Sequence, residues 1–315
     1  MLLETSRSAD AQPKILIVGA AGQVGVELRR SFADVANIVA ADRSAAEGSE
    51  SLDLADEAQT RALVRRVRPD VIVNAAAYTA VDRAESEPEL ARLINAQAPA
   101  ILAEEARALG ALFVHYSTDY VFNGGKQQPW LESDSTDPLN VYGQTKLEGE
   151  QAVEHVGGRF LIFRTSWVYG PHGKNFLLTM LKLAGERPSL SIVSDQIGAP
   201  TTSIELARIT HEAVDGVLSG RLGPAENWAG LYHTTCGGST SWFGFAEAIF
   251  ARAGALGVKA PELKPLPTSG YPTPARRPAN SVLSNEKLAV RLGLRLASWQ
   301  QALEDVFAVL VAQKH

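Results

Sequence analysis

The sequence predicts an α/β protein: a doubly wound parallel sheet with a smaller α/β domain attached. Three observations carry this. Short apolar runs alternate with helix-patterned stretches through the first half of the 315 residues, which implies a parallel sheet covered by helices. The first apolar run ends in a glycine-rich turn and a helix pattern. After Thr165 that rhythm breaks, and helical and proline-rich segments take over.

The first strand is expected over 15–18, in Lys14-Ile15-Leu16-Ile17-Val18, a continuous apolar run suited to burial on both faces. Gly19, Gly22 and Gly25 follow as G-x-x-G-x-x-G, and the helix 23–32 opens inside that turn with Val24, Leu28 and Phe32 on one face. Glycine permits the tight turn and a close backbone approach to a pyrophosphate at the helix N-terminus. Gly19, Gly22, Gln23, Val24 and Gly25 are therefore candidate cofactor contacts. Further strands are expected at 38–41, 71–74, 112–117 and 160–165, with helices at 57–67, 89–109 and 144–156 between them. This order is that of a Rossmann-like dinucleotide-binding domain. Beyond it the pattern predicts helices at 175–185, 203–218, 242–253 and 299–311, and strands at 189–193 and 231–235. Residues 261–278 are rich in proline and read as loop or edge structure. The expected division is 14–170 for the dinucleotide-binding domain, with a return at about 195–235. The second domain takes 171–194 and 236–315, and 1–13 form a tail.

Composition bounds the function classes. Hydrophobic residues make up 45% and charged residues 21%, enough for a sizeable core. A net charge of −5 speaks against nucleic acid or an anionic membrane as partner. Cys236 is the one cysteine, so no intrachain disulfide or cysteine-based zinc site can form, and a reducing, cytoplasmic setting is expected. The polar tail lacks the apolar region of a signal peptide, and no apolar stretch spans a bilayer.

Tyr142 and Lys146 stand four apart, one helical turn, so they project from one face. A phenol there can hand a proton to a substrate oxygen, and a neighbouring ammonium is expected to lower its pKa from about 10. The spacing alone is common; the glycine turn upstream gives it weight. Thr118, at the end of the fourth strand, is placed to donate to the same oxygen, because ligands bind at strand carboxyl ends in such sheets. Asp42, 20 residues after Gly22, suits the adenosine ribose hydroxyls, whereas Arg43 suits a 2′-phosphate. The two leave NADPH or NADH open. Asp53 and Leu54 are expected to cover the adenine, and Ala75, Ala76 and Ala77 to let the cofactor lie flat.

The longer motifs carry a resemblance. N-A-A-A-Y-T-A-V-D-x-A-E at 74–85, S-T-D-Y-V-F at 117–122 and P-L-N-V-Y-G-x-T-K at 138–146 resemble the dTDP-4-dehydrorhamnose reductase family. F-R-T-S-W-V-Y at 163–169, D-Q-x-G-A-P-T at 195–201 and Y-P-T-P-A-R-R-P at 271–278 do so too. The family lies within the extended short-chain dehydrogenase/reductases. It implies reduction of the 4-keto group of a nucleotide sugar, dTDP-4-dehydro-L-rhamnose, by NADPH or NADH. The resemblance makes Tyr142 the proton donor, Lys146 its partner and a nicotinamide-ribose ligand, and Thr118 and Asp119 substrate contacts. It places Trp167 near the sugar and makes the second domain substrate-binding. Arg276 and Arg277 would grip the diphosphate, where guanidinium forks suit phosphate, with help from Asn175 at a helix start. It also raises a homodimer and a structural Mg2+ held by glutamates. Glu27 matches one such ligand, but the second is displaced to Glu205, so no metal ligand is assigned and hydride transfer needs none.

Other readings use the same parts. A sugar-nucleotide dehydratase would follow the threonine with Asp-Glu, where this chain has Asp119-Tyr120. A regulatory subunit of the methionine adenosyltransferase type would bind the dinucleotide without catalysis, but the intact Thr118, Tyr142, Lys146 and arginine loop favour an enzyme. A reductase of another 4-keto-deoxysugar would keep every one of these residues.

Overall fold

The structure, a computed structural model, describes residues 12–44 and 48–314. Residues 1–11 of the expected tail lie outside the described residues.

The chain enters through β1 (Lys14–Val18), α1 (Gln23–Phe32), β2 (Asn37–Asp42), β3 (Glu50–Ser51), α2 (Glu57–Val67) and β4 (Val71–Asn74). Two short helices, α3 (Val81–Ala84) and α4 (Pro88–Arg92), lead to α5 (Ala98–Leu109), β5 (Leu112–Thr118), α6 (Val141–Val156) and β6 (Phe160–Thr165). Then come β7 (Val168–Tyr169), α7 (Phe176–Ala184), β8 (Ser189–Val193), β9 (Ile197–Gly198), β10 (Thr201–Thr202), α8 (Ser203–Leu218) and β11 (Gly230–His233). The chain closes with β12 (Thr240–Ser241), α9 (Trp242–Ala253), β13 (Glu262–Leu266), α10 (Glu286–Leu292) and α11 (Trp299–Lys314).

Seven strands form one sheet in the order β11-β6-β5-β4-β1-β2-β3, every pairing parallel. Side-chain alternation divides its two cores. Ile15, Ile17, Val71, Val73, Leu112 and Val114 face one; Leu16, Val18, Ile72 and Phe113 face the other. The strand order reverses between β1 and β4, the switch point outside which ligands bind in such sheets. Both strands end there, at Val18 and Asn74, in register with each other.

A third core joins α7, β8, α9 and α11 around Tyr169, Leu177, Phe245, Ile249, Trp299 and Leu303. Here β13 pairs in parallel with β8. The proline-rich stretch thus contains a short edge strand, where Pro265 costs no essential ladder bond.

The expected single helix over 89–109 is corrected by the structure. A π-helical turn, Leu93–Gln97, separates α4 from α5. Pro99 has no N–H to continue a regular ladder. The buried Asn95 side chain is held by Tyr78 N–H at 2.8 Å, by the Tyr78 carbonyl at 3.1 Å and by Thr145 Oγ1 at 3.1 Å. These bonds fix the bulge against α6, the helix of Tyr142. Such bulges recur near functional sites.

Candidate active site

The glycine turn shapes one wall of a cleft of about 710 Å³ above the switch point. Gly19 has φ of +81°, and a Cβ there would lie 2.6 Å from Ala76 N. Only glycine lets β1 hand over this close to the end of β4. Gly25 does not line the cleft; it packs beneath it, where a Cβ would lie 2.1 Å from Gly19 O. The N-cap of α1 is Gly22, which supplies no side-chain oxygen. The helix N-terminus therefore keeps its N–H groups for an anion. A turn that any Cβ would fill, next to an uncapped helix start, fits a dinucleotide pyrophosphate.

Most of the expected cofactor contacts share this cleft: Gly19, Gly22, Gln23, Val24, Asp42, Arg43, Asp53, Leu54, Ala75, Ala76, Ala77, Tyr142 and Lys146. Asp42 is half-buried and its Oδ2 accepts the Ala21 N–H at 3.0 Å, so it also braces the glycine turn. Arg43 is exposed.

The Tyr–Lys pair stands on α6, whose N-cap Asn140 accepts the Gly143 N–H at 2.8 Å. Tyr142 lies next to Thr118 and meets Tyr120 edge-on, with ring centroids 5.8 Å apart. Thr118 donates to Asp119 Oδ1 at 3.0 Å. Burial pushes the Asp119 carboxyl up to about 6, against hydrogen bonds from Ser281 and Thr118.

One electrostatic expectation is overturned. Tyr142 does not fall below its ordinary value; burial pushes it up to about 12, only partly offset by the neighbouring Thr118 hydroxyl. The ammonium expected to lower it is directed elsewhere, with Lys146 Nζ 2.6 Å from Tyr116 O and 3.2 Å from His115 Nε2. Burial brings Lys146 itself down to about 8.

The residues expected on the substrate side are spread outside the cleft lining. Trp167 has φ of +48°, a strained backbone for a bulky residue. Its ring stacks on Trp242 with centroids 3.6 Å apart. Arg276 is exposed, and its carbonyl accepts from Asn140 Nδ2 at 2.7 Å, tying the arginine loop to the start of α6. Arg277 is committed to Asp82 through bonds of 3.1 and 2.8 Å, so the two arginines do not stand as an equivalent free pair. The Asn175 side chain caps α7 through the Leu178 N–H at 3.0 Å and donates to Gln23 Oε1 at 2.9 Å, which turns it toward the glycine turn. Sequence reading did not single out Trp242, Asp82 or His115. Only Asp82 left a trace, inside the motif at 74–85; partners this far apart in the chain leave no local pattern.

Glu27 is closed by Arg30 at 3.2 Å and His172 at 3.0 Å. Glu205 is closed by two bonds of 2.8 Å from Arg208.

A glycine-turn dinucleotide cleft over a parallel sheet, lined by a tyrosine and a lysine one helical turn apart with a threonine next to the tyrosine, defines the extended short-chain dehydrogenase/reductase class. Residues 13–312 match the family model described as the RmlD substrate binding domain, and the chain belongs to that family. It is 49% identical over 294 residues to a dTDP-4-dehydrorhamnose reductase of Burkholderia thailandensis, covering 92% of this chain and 96% of the relative. A dTDP-4-dehydrorhamnose reductase of Salmonella typhimurium is also 49% identical, over 288 residues, 91% of this chain and 94% of the relative. Among solved structures, a dTDP-4-dehydrorhamnose reductase of Bacillus anthracis in complex with NADP superposes with a TM-score of 0.85 at 34% identity, covering 95% of this chain and 99% of that one. One from Clostridium acetobutylicum gives 0.85 at 36% identity, covering 94% and 99%.

Proposed function

We propose that the protein reduces the 4-keto group of dTDP-4-dehydro-L-rhamnose to give dTDP-L-rhamnose, with NADPH or NADH as reductant. The observation that carries this is Tyr142 and Lys146 lining the glycine-turn cleft, with the Thr118 hydroxyl next to the Tyr142 phenol. The relatives' names supply the sugar. The reduced nicotinamide, when bound, supplies the hydride to C4. Tyr142 then protonates the oxygen at C4. A phenol held up at about 12 stays protonated at neutral pH, which is the form a reduction needs, and an alkoxide is basic enough to take its proton. Solvent returns that proton to Tyr142. Thr118 positions the substrate oxygen, and Lys146 as an ammonium holds the nicotinamide ribose and offsets the developing negative charge. Asp119 and Trp167 are assigned to the sugar side, and Asn175, at the start of α7, to the diphosphate. Residues 171–194 and 236–315 are taken as the substrate-binding unit, with 195–235 returning to the dinucleotide domain. No step is assigned to Mg2+, because Glu27 and Glu205 are already neutralised by arginines. The test is cofactor oxidation in the presence of the nucleotide sugar. Oxidation that stays at the sugar-free background would overturn the proposal.

Arg276 and Arg277 are proposed to hold the diphosphate. A charge-assisted bond to phosphate is worth about 1.5–3 kcal/mol, so Arg276→Ala and Arg277→Ala should raise KM for the nucleotide sugar by about ten- to a hundredfold. The cofactor KM should barely move. Arg277→Ala also frees Asp82, so its effect should be the larger. Unchanged substrate KM in both variants would show that neither arginine holds the diphosphate.

Asp42 and Arg43 pull cofactor choice in opposite directions. The acid repels a 2′-phosphate, and the exposed guanidinium attracts it, both screened by salt. The parent should prefer NADPH by no more than about tenfold, or 1–2 kcal/mol. Arg43→Ala should shift preference toward NADH. Asp42→Asn, which keeps an acceptor for the Ala21 N–H, should shift it toward NADPH. Values of kcat/KM for both cofactors decide the matter; a thousandfold preference in the parent, or a shift of opposite sign, contradicts it.

A further inference from the structure

Lys146 ends a buried chain of hydrogen bonds. Its Nζ lies 3.2 Å from His115 Nε2. The other ring nitrogen, Nδ1, lies 3.2 Å from Asn74 Nδ2. Asn74 Oδ1 accepts the Ala76 N–H at 3.2 Å. Asn74, His115 and Lys146 are all buried, so these groups must satisfy one another.

Donors and acceptors along this chain can be counted. The Ala76 N–H can only donate, which fixes Asn74 Oδ1 toward it and turns the amide Nδ2 toward His115. The amide then donates to Nδ1. A neutral imidazole carries one N–H and one lone pair, so the ring proton sits on Nε2 and points at Lys146. Nζ can accept it only as a neutral amine, because an ammonium has three donors and no lone pair. Facing an ammonium, His115 must move its proton to Nδ1, where it meets the Asn74 amide donor head on. An imidazolium offers no way out: burial, then the charge of Lys146, holds His115 well below its ordinary value.

We propose that His115 is a positioning residue whose tautomer is locked to the protonation state of Lys146: Nε2–H with the amine, Nδ1–H with the ammonium, the second form breaking the link to Asn74. The surroundings place this switch near pH 8. Burial lowers Lys146 to about 8, with Glu150 raising it in opposition. Glu150 is itself bound by Arg164 of β6. The Tyr142 phenol, one turn earlier on α6, is pushed up to about 12 and stays neutral. From β5, the Tyr116 phenol is raised further and its carbonyl accepts from Nζ at 2.6 Å. The amine therefore prevails above pH 8 and the ammonium below. Asn74 ends β4, and Ala75–Ala77 beyond it line the cleft, so the broken link is felt at the cofactor wall. Under the reduction proposed above, the ammonium is the working form and the switch sets the alkaline limb of activity. Only this consequence rests on that reading.

The test is 15N NMR of the full chain with ring-labelled histidines and no added cofactor, from about pH 6.5 to about pH 9.5. The His115 signals are assigned by their loss in His115→Gln. The Nδ1–H tautomer should dominate at low pH and Nε2–H at high pH, with a midpoint near 8. Lys146→Met should abolish the change. Asn74→Leu removes the partner that favours the amine form, and should move the midpoint upward by about one pH unit, a tenfold change in equilibrium. One tautomer across the whole range, or a change that persists in Lys146→Met, overturns the proposal. Should Asn74→Leu fail to fold, the parent and Lys146→Met already decide it.

Discussion

Tyr142→Phe lowers kcat for dTDP-4-dehydro-L-rhamnose by about 10²–10⁴-fold, the usual worth of a positioned general acid. The substitution removes one hydroxyl and keeps the ring, so the edge-on contact with Tyr120 survives and the fold should be unchanged. The loss falls on kcat, because the proton is given up only in the transition state. Substrate binding and the hydride donor are untouched by the change, so a residual rate above background should remain. Steady-state kinetics on the variant, with a circular dichroism spectrum matching the parent, checks this. Turnover within a fewfold of the parent would remove Tyr142 from the mechanism.

The second large effect is on stability. Glu150 and Arg164 form a bidentate pair of 2.8 and 2.6 Å, with side chains 1% and 5% exposed. Arg164 also lies over the Phe122 ring, 5.1 Å from its centroid. Glu150→Ala strands a buried guanidinium, which costs about 3–5 kcal/mol. For a chain of this size that is a drop in Tm of about 5–8 °C. Replacing both partners, as Glu150→Leu with Arg164→Met, leaves no stranded charge and should recover most of the loss. Thermal unfolding of the three proteins tests this. A single variant as stable as the parent, or a double variant no better than the single, would contradict it.

The sheet was legible because its signals are local. The apolar run before Gly19 and the positions of the three glycines suffice to place β1, α1 and the cleft between them. Apolar periodicity marks α2, α8 and α9 through to their ends. The proton-donor pair was legible as a spacing, since one turn of α6 sets Tyr142 over Lys146. What the spacing could not carry is the surroundings. The direction of the Tyr142 shift depends on burial, and on a carbonyl of β5 that draws Lys146 away. The π-helical turn depends on Asn95 meeting Tyr78 and Thr145 in three dimensions. The pairing of Arg277 with Asp82 joins residues 195 positions apart, and the Trp167–Trp242 stack joins two residues that no local pattern links. Each is a tertiary fact that no window of sequence contains.

The most direct test of the central claim follows the hydride. The protein is incubated with dTDP-4-dehydro-L-rhamnose and NADPH deuterated at both C4 positions of the nicotinamide, and the product is identified by NMR and mass spectrometry. The account predicts dTDP-L-rhamnose carrying one deuterium, at C4 of the sugar, with one NADPH oxidised per product. Recovery of the keto sugar unchanged, or of an isomerised sugar without deuterium, would contradict it.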